Sequence, residues 1–487
     1  MRTALFLLLL LAFAAIPGSL VPQRSSDPNG VVQYRVNNPE LYQVLDWFGV
    51  FNTYGSVWFS AIYLLLFVSL IGCVIPRTRH HLIALRARPP KTPARLERLA
   101  AFTSRETEAD AATALDTAAQ LLKKQGYRIE RFENSVSAER GYLRETGNLV
   151  FHTALIGVLI TVGIGGGFGY TGQRVVVEGQ KFVNVLGDYD SFNPGRFFNP
   201  GSLEPFRIAL DDFSVQYELK NQNAIGQATN FTASVTTTQP GFGEAQTEIK
   251  VNSPLEIAGS QVYLLGNGYA PTLIVRDPDG NIVWTDSVPF LPQDANLTSV
   301  GVVKVPDGLA EQVGMVGFFY PTAAETASGA LTSGYPDLVL PLLTLRVYTG
   351  DLGLNAGEPR SVYSLDVASL TAVAGGKAGP KALELSPGET VDLPNGLGTI
   401  EFTEVKRFAS LDIHRDPSQL WVLAFALLVV AGLLTSLFIP RRRVWVKVVG
   451  SRLEYAGLAR GEDPTLEAAV EALARDHASA LSLRLKQ

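Results

Sequence analysis

Side chains able to hold a metal, relay a proton or attack a carbonyl are few in this chain. Its 487 residues include one cysteine, Cys73, and five histidines: His80, His81, His152, His414 and His477. A single cysteine excludes an intramolecular disulfide, a CxxC redox pair, a cysteine-rich zinc site and a CxxCH haem-attachment site. Five scattered histidines argue against a histidine-rich metal cluster. No HExxH, GxSxG or Walker A motif occurs, and no GxGxxG follows a strand pattern. Between residues 169 and 419 the one histidine is His414, and no nucleophile motif accompanies it, which leaves little for a Ser-His-Asp hydrolase. Carboxylates are so abundant there that a glycosidase-type pair can be neither picked out nor excluded. His152 stands apart because of its setting, Gly147-Asn148-Leu149-Val150-Phe151-His152-Thr153-Ala154, four residues into an apolar stretch. An ionisable group inside a membrane span is costly and usually faces a partner or cofactor. Two readings stand side by side. The imidazole is either an axial ligand of the kind that holds haem iron, or a headgroup-level histidine bonded to a neighbouring carbonyl or lipid phosphate.

The elements that must position these residues begin with four stretches free of Asp, Glu, Lys and Arg: 3–22, 57–75, 149–168 and 420–439. A helix of about 20 residues matches a hydrocarbon core of roughly 30 Å. The first stretch also fits a signal peptide, with a short basic start, a leucine core and small residues after it. Charge sets a direction. Seven bases from Arg77 to Arg98 face one acid, Glu97, after the second stretch, and Arg441, Arg442, Arg443 and Lys447 follow the fourth. The positive-inside rule then assigns both termini, 76–148 and the tail 440–487 to the cytoplasm, and 23–56 and 169–419 to the outside of the cell membrane. All four stretches obey one topology, which favours retention of the first. Trp47 and Trp58 flank the second stretch, and Trp421 and Trp445 the fourth, as an interfacial belt requires. The aromatic run Trp47, Phe48, Phe51, Tyr54, Trp58 and Phe59 reads as that belt or as one wall of a porphyrin site.

Residues 169–419 carry 28 acids and 15 bases, a net charge of −13. Nucleic acid is thereby excluded as a partner for this segment, since phosphate binding needs the opposite sign. QVYLL, PTLIV, NIVWT, NFTASVTTT, LLTLRVYT, SVYSLDV and GTIEFTEV read as short strands, with Asp277-Pro278-Asp279-Gly280 as a turn. A β-rich, sandwich-like domain without disulfides is the expectation. The region 76–148 reads as a small αββ unit: a helix in EADAATALDTAAQLLKKQ, then YRIERF and SVSAERGYLRE. The tail ends in a helix over Pro464–Leu485. The fold class expected is therefore an integral membrane protein with four transmembrane helices, a large β-rich extracytoplasmic domain and a small cytoplasmic αβ unit.

Several runs together resemble the ResB (CcsB) cytochrome c biogenesis family, most of all its actinobacterial members. They are LAFAAIPGSLVPQR, LYQVLDWFGVFNTYGSVWFSAIYLLLFVSLIGCVIPR, GNLVFHTALIGVLITVGIGGGFGYTGQRVVVEGQ and NSPLEIAGSQVYLLGNGYAPTLIVRDPDG. The likeness covers nearly the whole chain, although relatives usually carry a longer cytoplasmic lead before the first span. It implies a membrane subunit of System II cytochrome c assembly, a haem chaperone that carries haem b across the membrane. It also implies a ResC/CcsA-type partner, with which the chain forms a holocytochrome c synthase, and apocytochrome c as the acceptor. His152 matches the family's third-span histidine, which implies a haem axial ligand. Without a CxxC of its own the chain depends on a separate thioredoxin-like system to keep the apocytochrome cysteines reduced. The competing expectation is a structural or sensory membrane protein with a β-rich ectodomain and no cofactor.

Overall fold

A computed structural model describes residues 2–354, 362–376 and 380–484. It resolves two compact units, one formed by residues up to Gly165 together with those from Ser418 onward, the other by Gly166–Pro417.

The first unit contains the helices. The apolar α1 (Arg2–Leu20) is followed by α2 (Pro28–Asn37) and α3 (Pro39–Trp47). The segment after α1 is pinned by Gln23, whose amide donates to the Val50 carbonyl at 2.9 Å and accepts from the Thr53 amide at 3.0 Å. Phe51 is fully buried and stacks on Tyr42 at 4.9 Å. Next come α4 (Val57–Arg86), α5 (Ala111–Lys124), α6 (Leu143–Phe168), α7 (Gln419–Phe438) and α8 (Leu466–Arg484). Three of these, α4, α6 and α7, are long and apolar enough to cross a membrane, while the apolar stretch Leu5–Leu20 of α1 is shorter. Two boundaries differ from expectation. The second span was expected to stop at Ile75, yet α4 runs on to Arg86, and α6 begins at Leu143 rather than Leu149. Leaving hydrocarbon does not end a helix; a breaker does, and beyond Pro76 none arrives until Pro89-Pro90.

The αββ unit and the tail form a single sheet. Its order is Ala101–Glu106, Arg452–Ala459, Arg442–Val449, Ser135–Arg140, Arg128–Phe132, antiparallel throughout. The tail thus supplies two inner strands as well as α8, and α5 and α8 pack on one face over Val136, Ala138, Val444, Val446, Leu453 and Tyr455. The alternation is plain in Val444, Trp445 and Val446. The valines face the helices, and Trp445 turns to the other face against Leu96 and Ala456. Trp445 is 3 % exposed, so it belongs to this core and not to an interfacial belt. Arg441 and Arg442 are likewise buried. Arg442 forms a bidentate pair with Asp463, at 2.6 and 2.9 Å. Hydrogen bonds from Arg442 hold that carboxyl down to about 2. Glu139 accepts from Arg441 at 2.9 Å, from Arg443 at 3.0 Å and from the Tyr142 hydroxyl at 2.8 Å. Burial alone would raise Glu139; these donors outweigh it and keep the carboxyl below its ordinary range.

Among its described residues the second unit is built on β-strands, with short 3-10 turns between some of them. Its spine is the pair Ser260–Arg276 and Gly398–Arg415, antiparallel from Gln261↔His414 to Arg276↔Thr399. Strands of this length run roughly 55 Å. QVYLL and PTLIV, expected as two strands, are one; register shifts at Leu264/Gly266 and Thr272/Leu273 absorb the irregular stretch between them. Toward one end the spine shares a core of Tyr269, Phe290, Phe319 and Phe402 with the sheet built on Ser299–Val305, Val313–Tyr320 and Leu342–Thr349. Toward the other it shares Val262, Leu411 and Ile413 with Phe182, Ile208 and Phe213 of the sheet built on Arg207–Tyr217 and Ala228–Gln239. The turn at Asp277–Gly280 forms as expected, with Gly280 at φ +86° and the Asp277 amide donating to the Asn281 carbonyl at 2.9 Å. SVYSLDV is not a strand over its described residues, Val362–Val367 (Ser361 lies outside them); it runs through turn and coil into a short 3-10 turn.

Candidate functional site

α6 carries His152, half-buried, about two and a half turns in from its first residue. Its neighbours are fixed by small residues. Gly147 and Gly432 meet where α6 crosses α7, and a Cβ on Gly432 would lie 2.6 Å from the Phe151 amide nitrogen and 2.8 Å from the Gly147 carbonyl oxygen. Backbones approach this closely only where no side chain intervenes. On another side of α6, the Tyr63 hydroxyl of α4 donates to the Leu159 carbonyl. The Arg77 guanidinium of α4 donates to the Asn148 side chain at 3.3 Å. Phe151 stands edge-on to the His152 ring at 5.0 Å.

One bond decides what the His152 ring can do. Its Nδ1 lies 2.8 Å from the main-chain oxygen of Asn148. A carbonyl can only accept, so Nδ1 carries the proton and Nε2 keeps its lone pair. Among the described residues no hydrogen bond or ion pair engages Nε2. The carbonyl bond belongs to both readings of this residue: a headgroup-level histidine makes it, and it also fixes the tautomer and ring orientation that a metal-ligating histidine needs. No group of three or more His, Cys, Asp or Glu able to hold a metal occurs among the described residues.

The other histidines are not gathered around it. His80 is exposed and His81 buried in the last turns of α4, where Nε2 of His81 sits 2.9 Å from the Thr146 hydroxyl of α6. His414 pairs with Asp412 at 2.6 Å in the β unit. His477 is fully buried on α8, with Nδ1 2.8 Å from the Tyr455 hydroxyl and Nε2 2.9 Å from the Ala114 carbonyl. Both its nitrogens are spent, and the role is structural. The aromatic run divides: Phe51 is core, whereas Trp47 is 81 % exposed and Phe48 53 %. Sequence reasoning missed Asn148 as the partner of His152, and Arg77 as the partner of Asn148. The signal was there in Arg144, Asn148 and His152, spaced by four and so on one helix face.

Residues 1–471 match the ResB-like family. Among similar curated proteins, the cytochrome c biogenesis protein CcsB of Synechococcus sp. (strain RCC307) is 30 % identical over 286 residues, 55 % of this chain and 59 % of the relative. Proteins of the same name from Synechococcus sp. (strain CC9311) and Microcystis aeruginosa (strain NIES-843 / IAM M-2473) are 27 % and 26 % identical over 54 % and 55 % of this chain. These alignments span 57 % to 59 % of the relatives' own length. With the family matched across nearly all its residues, the chain belongs to the ResB-like family.

Proposed function

We propose that this chain is a haem-handling membrane subunit of cytochrome c biogenesis, and that His152 Nε2 is an axial ligand to haem iron in transit. The observation that carries the reading is the fixed tautomer, Nδ1–H committed to the Asn148 carbonyl and Nε2 unengaged on a helix apolar enough to span a membrane. Haem iron takes one or two axial bases, and neutral imidazole is a common one. One histidine leaves the opposite axial position to a second polypeptide, a ResC/CcsA-type membrane protein, and the acceptor is apocytochrome c. The names of the similar proteins support the process, cytochrome c biogenesis, and do not extend to the cargo.

In this reading α1, α4, α6 and α7 all cross the cell membrane, with both termini cytoplasmic and Gly166–Pro417 outside. The five-stranded sheet supports the sidedness, because 101–140 and 442–459 pair in one sheet and must lie on the same side. The bases after α4 and α7 then mark the cytoplasm. The chain's own part is to bind and orient. α7 and α4 hold α6 so that the imidazole stays put, Asn148 fixes the proton on Nδ1, and apolar helix surface keeps water from the iron. The test is cytochrome c maturation in cells expressing His152→Ala. Covalent cytochrome c should fall at least tenfold and recover in part when imidazole is supplied in the medium; wild-type maturation in that variant would defeat the ligand role.

A further inference from the structure

Where α4 ends, α6 begins and the chain leaves α7, a cavity of about 410 Å³ opens, with Arg77, His80, His81, Arg144, Asn148 and Arg441 in its wall. Its charge is one-sided. Four arginines line it, and the acid among its lining residues is Glu145. Arg441 is matched by Glu139 at 2.9 Å, and Glu145 is shared between Arg441 at 3.4 Å and Arg460 at 2.9 Å. Arg77 and Arg144 have no carboxylate within ion-pair distance among the described residues. Arg77 donates to the Asn148 amide oxygen, Arg144 to the Arg460 carbonyl.

His81 makes the wall unfinished in a second way. It is 7 % exposed. The Thr146 hydroxyl donates to the Tyr142 carbonyl at 3.3 Å and so accepts from His81 Nε2 at 2.9 Å. That leaves Nδ1 buried with no hydrogen-bond partner. The open Nδ1 is the acceptor nitrogen of the ring, so a donor and not a carboxylate oxygen would satisfy it, and the anion is left to the guanidiniums. Two guanidiniums without a carboxylate partner around one hollow suit an anion with several oxygens, to which arginine forks donate in pairs.

The position narrows the anion. Asn148 in the wall is the residue whose carbonyl orients His152, and Arg144, Asn148 and His152 share one face of α6. Eight residues separate Arg144 from His152, about 12 Å along the helix. A ligand with a metal at its centre and carboxylates on one edge would meet both features of this face. We propose that the cavity receives the two propionate carboxylates of a porphyrin whose iron is held at His152, with Arg77 and Arg144 as counter-ions. This rests on the haem-ligand reading above.

The full chain in lipid nanodiscs, titrated with protohaem and with protohaem dimethyl ester, separates the two claims. Protohaem should bind the wild-type chain about tenfold more tightly than the ester, the scale of one or two charge-assisted hydrogen bonds. Arg77→Ala/Arg144→Ala should lose that preference while its Soret maximum stays put, because the iron ligand is untouched. Arg77→Lys/Arg144→Lys, which keeps the charge and guards against misfolding, should retain most of it. Equal binding of acid and ester to the wild-type chain, with a spectrum that still depends on His152, overturns the cavity proposal and spares the ligand. Spectra indifferent to His152→Ala overturn both. If native mass spectrometry finds phosphatidylglycerol lost from the Ala/Ala variant without any change in ester preference, the cavity is a lipid-headgroup site and the proposal fails.

Discussion

His152 and His477 illustrate how little separates a structural imidazole from a chemical one. Each donates one ring N–H to a main-chain carbonyl, Asn148 or Ala114. His477 has its other nitrogen closed by Tyr455, whereas that of His152 is open. This predicts opposite sensitivities. Burial disfavours the imidazolium of His477 and lowers its pKa from the ordinary 6.5, against a small opposing effect of the Ala114 carbonyl. The folded state therefore takes up that proton less readily than the unfolded chain. Stability from the neutral ring is complete above about pH 6.5 and is lost as pH falls through the lowered folded value. Hydrogen exchange in the strand Arg442–Val449 should accelerate between pH 7.5 and 5.5, after correction for intrinsic exchange rates, and His477→Gln should flatten that dependence. An equal slope in both proteins would contradict the assignment. Asp463 and Glu139, also held below their ordinary values, act at lower pH and leave this window to the histidine.

At the scale of elements, α6 is positioned by what its neighbours lack. Gly147 and Gly432 let two backbones touch, and α7 has no room for a side chain there. Gly432→Leu should push α7 off α6, cost about 1–3 kcal/mol by overpacking and lower haem retention together with the melting temperature. Gly72→Leu, at a position with open space around the glycine, is the control. Haem retention unchanged in Gly432→Leu would mean that the crossing does not set the imidazole. The apolar stretches and most strands were legible because they are local patterns: absence of charge over 20 residues, or β-branched alternation closed by a turn such as Asp277–Gly280. Pairing of the tail with residues 101–140 was not, because strand partners hundreds of residues apart leave no local trace. Arg441–Arg443 read as topology-setting bases after the fourth stretch, yet their partners Glu139 and Asp463 lie elsewhere in sequence, and only tertiary structure brings them together. The site was half legible for the same reason. An ionisable residue in an apolar run marks His152, whereas Arg77 reaches Asn148 from a different helix.

As a whole molecule the chain divides into two parts that differ in charge and in architecture. Residues 169–419 bear a net charge of −13 against −5 overall, so the remainder is basic. That basic remainder holds the helices, the five-stranded sheet and the candidate ligand, and the acidic part is a β unit carrying one histidine, His414, already paired with Asp412. Everything proposed for the molecule depends on one nitrogen. The most direct measurement is the absorption spectrum of the full chain, co-purified with the proposed ResC/CcsA-type partner, as wild-type, as His152→Ala, and as His152→Ala with added imidazole. The account predicts a bis-imidazole Soret band and low-spin α/β bands in the wild type, their loss in the variant, and their return with imidazole. A variant spectrum identical to wild type in both haem content and band position would contradict it.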